Sequence, residues 1–304
     1  MIYRILLISL ILVLAAYAQV PVTGAGKSAV PANYQGPGDI ASGAIVWGSC
    51  ARVYAKAQAS TSTSLCDLVA ATGGAVVCTL RGSSSGFVDL VSSYCAGTTP
   101  AAACAAASGG SCKVTKVYDQ TGNSRDWSQA TLGSMPALTF NAINGLPGMT
   151  CTNAGGTQMS TPNITQSQPF AFSSVYKRTA GFTSAYAALA ANSGSARIGS
   201  ASSADTSDSN GGVALTRTAT DNQFHAIQGN ISNTVGANNT DGSDTTGSNG
   251  VATFSATPLR FCRNSSAVSS DMVVMEGGMW GRTLNSSERA DLNTNQHGLN
   301  GYNF

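Results

Sequence analysis

Short apolar runs recur along most of this chain, and turn-forming residues such as glycine, asparagine and serine bound each of them. Apolar runs of about four to eight residues suit β-strands and are too short for most helices. The pattern therefore predicts an all-β fold. The runs are Ala75–Leu80, Cys112–Tyr118, Ala137–Phe140, Phe170–Tyr176, Phe224–Ile227, Leu259–Cys262 and Met272–Met279.

Two of these runs indicate how the strands pack. Phe170, Phe172 and Tyr176 share one face at a period of two, which predicts a half-buried strand. From Met272 to Met279 both faces are apolar, which predicts an inner strand that is covered on both sides. A β-sandwich provides such a position.

One segment near the end of the chain has a helical pattern. Asn285, with Glu288 three residues later, has the form of an N-cap and capping box. Leu292 follows at helical spacing, and Gly298 is a typical stop signal. The sequence therefore predicts a short C-terminal helix.

A polar stretch follows residue 200 and predicts long hairpin loops on the rim of the sandwich. Asp205 and Asp208 belong to it, so the faces that they occupy cannot be assigned from the pattern. The spacing of Asn239, Asp241 and Asp244 hints at a calcium loop, but the alternation and terminal glutamate of an EF-hand loop are missing.

The first eighteen residues have the composition of a secretory signal peptide. Arg4 precedes an apolar run from Ile5 to Leu14, and small residues then lead to a cleavage site after Ala18. A membrane anchor is the alternative, but it needs about 20 apolar residues. Residues 19–39 are predicted to form a flexible lead-in before the folded part. Residues 40–304 are predicted to form the β-sandwich domain. We expect a secreted protein with no membrane partner after cleavage.

The charge balance excludes some classes of partner. Only 10% of residues are charged, and the net charge is +2. Without Arg4 the mature chain would carry about +1, which leaves no electrostatic footprint for nucleic acid. The 42% of apolar residues supply a sizeable core, so we expect a folded protein and not a disordered one.

The cysteines predict disulfides. Their number is even in a chain expected to be exported. Zinc is the alternative, but no Cys-x-x-Cys pair occurs and the only histidines are His225 and His297. We therefore expect neither a metal nor another cofactor, and we expect His225 to be a core residue. The eight cysteines are Cys50, Cys66, Cys78, Cys95, Cys104, Cys112, Cys151 and Cys262.

Three features in the first half of the chain occur in a fixed order. They are the segment Gly74–Ser83, the closely spaced Cys104 and Cys112, and the string Tyr-Asp-Gln-Thr-Gly-Asn at residues 118–123. Together they resemble the catalytic domain of α-L-arabinofuranosidase B, from glycoside hydrolase family 54. The last string also resembles laminin-G-like modules. The strand–helix segment from Met275 onward is similar to the closing elements of the same superfamily.

The resemblance implies a concanavalin A-like (laminin-G-like) β-sandwich jelly roll and a disulfide between Cys104 and Cys112. The other six cysteines still allow fifteen pairings. It also implies hydrolysis of terminal α-L-arabinofuranosyl residues in plant polysaccharide. A polysaccharide or other glycan is the implied partner.

Retaining hydrolysis needs two carboxyl groups about 5 Å apart. The resemblance places them near residues 192–194 and 263–265, where this chain has no acid. The adjacent cysteine pair that lines the family's sugar pocket is also missing. Glu276, which should share a strand face with Met272 and Val274, and Asp271 are the remaining catalytic candidates. A buried structural role for Glu276 is the alternative.

Three residues are candidates for ligand binding. Asp119 and Asn123 lie in the Tyr-Asp-Gln-Thr-Gly-Asn turn and could contact a ligand, although such residues commonly bond their own backbone. Trp127 could stack on a sugar ring if exposed, but burial is the usual fate of tryptophan.

Two hypotheses follow from the sequence. The chain is an arabinofuranosidase-like glycoside hydrolase with relocated acids, or it is a non-catalytic, laminin-G-like or lectin-like glycan-binding module. Asn-x-Ser/Thr sequons, which matter only in a glycosylating host, occur at Asn163, Asn230, Asn238, Asn264 and Asn285.

Overall fold

The computed structural model describes residues 34–179, 185–191, 196–201, 204–209, 215–218, 222–249, 253–263, 271–298 and 301–304. The helices are α1 (Pro37–Ile40), α2 (Pro100–Ala106) and α3 (Ser286–His297), with 3₁₀ turns at Lys56–Gln58 and Leu132–Ser134. The strands are β1 (Ala44–Ser49), β2 (Ser64–Ala70), β3 (Val76–Arg81), β4 (Cys112–Val117), β5 (Trp127–Ser128), β6 (Ala137–Ile143), β7 (Leu146–Cys151), β8 (Met159–Ser167), β9 (Phe170–Arg178), β10 (Ala185–Ala191), β11 (Ala196–Ala201), β12 (Ala204–Ser209), β13 (Leu215–Thr218), β14 (Phe224–Ile231), β15 (Gly236–Thr240), β16 (Ser243–Gly247), β17 (Thr253–Phe261) and β18 (Met272–Trp280).

These strands form a large antiparallel sheet around a main apolar core. On one side β1, β18, β9, β14, β15 and β16 lie next to one another in that order. A second run places β8 beside β17 and β17 beside β10. The predicted all-β sandwich with a short C-terminal helix is confirmed.

The strand β18 is the inner strand that its apolar pattern predicts, since all of its residues are buried. It pairs with β1 along one edge and with β9 along the other. Two glycines permit close packing on its faces. A Cβ on Gly278 would lie 2.4 Å from Cε3 of Trp47, and a Cβ on Gly277 would lie 2.6 Å from Cδ1 of Leu189.

A β-bulge in β18 changes the face that Glu276 occupies. Val274 and Glu276 pair with neighbouring residues of β9, so Met275 between them is an extra residue. Met272 and Val274 belong to the main core, whereas Glu276 contacts Gln296 of α3 on the opposite face. The prediction that Glu276 shares a face with Met272 and Val274 is wrong, because the period of two breaks at the bulge.

The strand β9 confirms one prediction and corrects another. Phe170, Phe172 and Tyr176 all lie in the main core, as their spacing predicts. The opposite face is also covered, since Ala171 and Val175 belong to two smaller buried clusters. The strand is therefore buried on both sides and not half-buried.

The polar stretch after residue 200 forms strands, so the prediction of long loops is wrong. Asp205 and Asp208 lie on β12. The turn at Asp241 and Gly242 joins β15 to β16 with φ values of +49° and +82°, which is typical of a two-residue hairpin. Polar residues are tolerated inside because they are hydrogen-bonded, as when Asn238 Nδ2 donates to the Leu215 carbonyl at 2.8 Å.

The helix α3 begins and ends where the sequence predicts. Asn285 Oδ1 accepts from the Glu288 amide and Glu288 Oε2 accepts from the Asn285 amide, both at 2.9 Å. Gly298 is the C-cap. Leu292 packs with Trp280 in a buried cluster, so the helix covers the outer face of β18.

All eight cysteines form disulfides. The bond between Cys104 and Cys112, which the resemblance implies, is confirmed. The other pairs, which the sequence left open, are Cys50–Cys66, Cys78–Cys95 and Cys151–Cys262.

Ordered structure begins before residue 40. Tyr34 is only 1% exposed, its hydroxyl donates to the Val53 carbonyl at 2.7 Å, and α1 follows. The flexible lead-in predicted for residues 19–39 is therefore wrong from Tyr34 onward. Residues 1–33, with the predicted signal peptide, lie outside the described residues. Across the described ranges, no helix has the length and apolar character to cross a membrane.

Candidate functional site

Glu276 is paired with Arg52 in the interior of the protein, and both side chains are 0% exposed. Arg52 Nε donates to Glu276 Oε2 at 2.6 Å and Arg52 Nη2 donates to Oε1 at 2.7 Å. This is a bidentate ion pair, the strongest common geometry for arginine and carboxylate. Arg52 lies shortly after β1, so the pair joins the beginning of the fold to β18.

Further donors complete the shell around the carboxylate. Gln296 Nε2 donates to Glu276 Oε1 and the Tyr302 hydroxyl donates to Oε2, each at 2.8 Å. Arg52 also donates from Nη1 to Asn295 Oδ1 at 2.8 Å. Each oxygen of Glu276 therefore has two donors, and the network binds α3 and the tail after it to β18.

The charges in this network stabilise one another. Burial by itself lowers the pKa of Arg52, but the adjacent Glu276 carboxylate outweighs burial and raises that pKa above its ordinary value. Burial, followed by the charge of Glu276, raises the pKa of Tyr302 well above 10.0. Arg52 and Tyr302 are therefore fixed as donors, and Glu276 has no open path to a substrate. The structural role that the sequence left as an alternative fits this geometry.

The second catalytic candidate lies at the start of β18. Asp271 Oδ1 accepts from the Asn153 amide at 2.9 Å, and the Asp271 carbonyl accepts from the Thr179 amide at 3.1 Å. Of the positions where the resemblance places the family's acids, residues 192–194, 264 and 265 lie outside the described residues.

The ligand-binding candidates have structural contacts. Asp119 accepts from the amides of Trp47, Thr121 and Arg125 at 3.0–3.2 Å, so it organises its own turn. Asn123 is exposed, and its Nδ2 donates to the Ile45 carbonyl at 3.2 Å.

Trp127 does not offer a ring face to a sugar. It is 0% exposed and stacks on Phe261 with ring centroids 4.9 Å apart. Trp127 therefore lacks the exposed ring face that stacking on a sugar requires, and Trp47 and Trp280 are buried as well.

Both histidines of the chain meet at one carboxylate, which the sequence did not predict. His225 Nδ1 lies 2.6 Å from Asp241 Oδ2, and His297 Nε2 lies 3.0 Å from Asp241 Oδ1. The Ala226 amide donates to the same carboxylate at 3.0 Å. The cluster connects β14, the β15–β16 turn and the end of α3. No sequence spacing links residues 72 positions apart, so only the scarcity of histidine could have signalled it.

The hydrogen bonds of this cluster favour the charged forms of Asp241 and His297. Burial would raise the pKa of Asp241, but hydrogen bonds from His225 and His297 outweigh burial and hold that pKa well below its ordinary value. Burial would lower the pKa of His297, but the Asp241 hydrogen bond outweighs it and raises that pKa. The cluster therefore stabilises the contact between α3 and the β15–β16 hairpin.

A calcium site at the hairpin is not supported. Asp244 Oδ1 accepts from Asn239 Nδ2 at 2.7 Å, and Arg289 Nη2 donates to Asp244 Oδ2 at 2.6 Å. Asp241 is occupied by the histidines. Within the described ranges, no group of three or more His, Cys, Asp or Glu side chains is arranged to hold a metal ion.

Two grooves flank α3. The acidic groove has a volume of about 620 Å³ and lies between the helix and the segment around α1. The N-terminal groove has a volume of about 450 Å³ and lies beside the start of the helix. The acidic groove is lined by Gln35, Asp39, Asp291, Thr294 and Asn295, among others. The N-terminal groove is lined by Asn230, Thr234, Val235, Asn285 and Arg289, among others.

The acidic groove contains two exposed carboxylates. Asp39 Oδ2 accepts from the amides of Gly36 and Lys56 at 2.8 and 2.7 Å. Asp291 Oδ2 accepts only a 3.2 Å bond from the Ser287 hydroxyl among the hydrogen bonds in the described structure. Both residues face solvent, so their remaining acceptor positions are available to the hydroxyl groups of a ligand.

Comparison with known proteins shows a similarity of fold. No protein-family model matches the chain, and no curated protein matches it. A mutant of a GH54 α-L-arabinofuranosidase soaked with 4-nitrophenyl α-L-arabinofuranoside is similar at 14% identity and a TM-score of 0.63. An arabinofuranosidase complexed with arabinofuranosyl-α-1,2-xylobiose is similar at 15% identity and a TM-score of 0.61. Each match covers 86% of this chain but only 64% of the other.

Proposed function

We propose that this is a secreted carbohydrate-active protein that binds arabinose-bearing plant polysaccharide without hydrolysing it. The observation that carries the proposal is the fold, since 86% of the chain matches arabinofuranosidase structures, one soaked with an arabinofuranoside and one complexed with arabinofuranosyl-α-1,2-xylobiose. The four disulfides fit an extracellular setting, as does the leader predicted to be cleaved after Ala18. At this identity the fold alone does not carry activity, so the site chemistry has to decide between binding and hydrolysis.

The hydrogen-bond partners of Glu276 favour binding over hydrolysis. Glu276, the acid on the inner strand, is buried and saturated by four donors. A general acid has to deliver its proton to the leaving group, and a nucleophile has to reach the sugar carbon. Glu276 can do neither without breaking its ion pair with Arg52.

The acidic groove is the site that we propose for the glycan. Its volume of about 620 Å³ lies within the range of small-ligand sites, about 300–1,000 Å³. Asp39 and Asp291 can accept hydrogen bonds from sugar hydroxyls, and Gln35 and Thr294 can donate or accept them. This set of groups suits a neutral ligand rich in hydroxyls.

Binding to arabinan and to arabinose-free xylan, measured by titration calorimetry with residues 19–304, tests the proposal. We expect arabinan binding that weakens at least fivefold in Asp291→Asn. Asp89→Asn is the matched control, because it removes one negative charge outside the groove, and we expect it to bind like the parent. Absence of arabinan binding in the parent would refute the proposed function.

Hydrolysis of terminal α-L-arabinofuranosyl residues is the second candidate, favoured by the two carboxylates that share the acidic groove. Release of p-nitrophenol from p-nitrophenyl α-L-arabinofuranoside measures it. On the binding proposal, the parent releases none at high protein concentration. Release that disappears in Asp291→Asn would identify a hydrolase with its acids in this groove, and release that disappears only in Asp271→Asn would place them at the start of β18.

A further inference from the structure

Five sequons occur in the chain, and the fold treats them differently. N-linked glycosylation joins an oligosaccharide to Nδ2 of the asparagine, so this atom has to point to solvent in the finished protein. The described structure gives the environment of Asn163, Asn230, Asn238 and Asn285, while Asn264 lies outside the described residues.

Asn230 is used as an internal hydrogen-bonding group. It lies on β14, is 4% exposed, and forms a reciprocal pair with the residue that precedes the α3 N-cap. Its Nδ2 donates to the Leu284 carbonyl at 2.7 Å, and its Oδ1 accepts from the Leu284 amide at 2.9 Å. A glycosylated nitrogen keeps one N–H, but this buried side chain leaves no space for an oligosaccharide unless α3 separates from the sheet.

Asn238 is also buried and hydrogen-bonded inside the protein. It lies on β15 and is 0% exposed. Its Nδ2 donates to the Leu215 carbonyl at 2.8 Å, and its Oδ1 accepts from the Thr240 hydroxyl at 3.2 Å. A chain that carried a glycan here could not close the packing of β15.

Asn163 and Asn285 are the opposite case. Both are exposed, and the described structure gives neither Nδ2 a hydrogen bond. Asn163 lies on β8. Asn285 caps α3 through Oδ1, which accepts from the Glu288 amide at 2.9 Å, so the cap uses the oxygen and leaves the nitrogen free for attachment.

We propose that Asn163 and Asn285 are N-glycosylation sites and that Asn230 and Asn238 are unmodified in the folded, secreted protein, because a chain with a glycan at either position cannot complete its fold. The donor is a lipid-linked oligosaccharide of a eukaryotic secretory pathway. Nδ2 forms a bond to the anomeric carbon and loses a proton, while the bond from that carbon to the lipid pyrophosphate breaks and the pyrophosphate leaves. The proposal depends on export by the predicted leader and not on the proposed glycan binding.

The glycan on Asn285 has a predictable position. Asn285 lines the N-terminal groove together with Val235, and Val235 is 67% exposed. An oligosaccharide attached at this wall covers the groove and its exposed apolar side chain. The acidic groove lies beside the other half of α3 and stays open.

The test is site-by-site occupancy in the full chain, secreted from yeast with its own leader. Protein from the medium is deglycosylated with peptide N-glycosidase in isotopically labelled water, which marks each formerly glycosylated asparagine as labelled aspartate for peptide mass spectrometry. We expect label at Asn163 and Asn285 and none at Asn230 or Asn238. Label at Asn230 or Asn238, or its absence from either Asn163 or Asn285, would overturn the proposal.

Two variants test the same assignment without mass spectrometry. In a chain that also carries Asn264→Gln, which removes the sequon outside the described residues, Asn163→Gln and Asn285→Asp should each remove one glycan, and the double variant should migrate on a gel like the enzymatically deglycosylated parent. Asn285→Asp is chosen because aspartate caps a helix as well as asparagine does, so a lost glycan is not confused with a lost cap. A double variant that still shifts after deglycosylation would refute the assignment.

Discussion

Replacing Glu276 by glutamine separates a structural role from a catalytic one. The change keeps the size of the side chain but removes its charge, which leaves Arg52 charged and 0% exposed without a counter-ion. The carboxylate accepts four hydrogen bonds, and a glutamine offers only one acceptor oxygen. At least one donor from Arg52, Gln296 or Tyr302 then faces the amide nitrogen.

The expected loss of stability is large. Breaking a buried ion pair by removing one partner costs about 3–5 kcal/mol. At about 2–4 °C per kcal/mol for a domain of this size, the melting temperature of Glu276→Gln should fall by roughly 6–20 °C. Adding Arg52→Met should recover part of this loss, because the double variant no longer buries an unpaired charge.

Differential scanning calorimetry and urea titration of the oxidised protein measure this effect. Glu288→Gln is the matched control, since it makes the same chemical change in the partly exposed pair with Arg282, where the loss should be about 1 kcal/mol or less. If Glu276→Gln unfolded within about 1 kcal/mol of the parent while sugar hydrolysis disappeared, the structural assignment would be refuted and Glu276 would be catalytic.

Three further predictions concern elements that hold the sandwich together. Replacing both Cys151 and Cys262 by alanine opens a loop of 111 residues and should lower the free energy of unfolding by about 5 kcal/mol, measured by urea titration. Asn285→Ala should cost about 1 kcal/mol by loss of the cap, measured in the same way, whereas Asn285→Asp should be nearly neutral. The raised pKa of His297 means that protonation stabilises the fold, so this contribution is complete below the unfolded pKa and is lost as pH rises through the folded pKa. Urea midpoints between about pH 5 and about pH 9 should therefore fall with pH in the parent and fall less in His297→Gln, and equal slopes would contradict the role of the Asp241 contact.

The elements that could be predicted are those whose signal is local. The run that forms β18 is apolar on both faces, which predicts an inner strand, and every residue of the strand is buried. Asn285 and Glu288 predict the start of α3 because the capping box needs only four consecutive residues. The disulfide between Cys104 and Cys112 followed from a resemblance, whereas the other three pairs depend on which strands become neighbours, and composition does not carry that information.

The predictions that failed have physical causes. Polarity suggested loops around Asn238, but a hydrogen-bonded amide can be buried at little cost, so this polar segment forms strands. The face of Glu276 was wrong because the bulge at Met275 inserts one residue into an alternating pattern. The pairing of Arg52 with Glu276 spans 224 positions, and nothing near either residue marks the other as its partner.

The remaining argument about function concerns the pKa of a catalytic acid. A glycosidase needs one carboxylic acid whose pKa is raised, so that it holds a proton to donate. Asp241 and Glu288 both have lowered pKa values. For Asp241 hydrogen bonds from two histidines outweigh burial, and for Glu288 the hydrogen bond from Arg282 lowers the pKa despite burial. Basic or amide partners of this kind hold a carboxylate in its charged form, which suits an acceptor of hydrogen bonds and not a proton donor. Asp241 and Glu288 are therefore suited to hold the fold together through their charged partners and not to donate a proton to a leaving group.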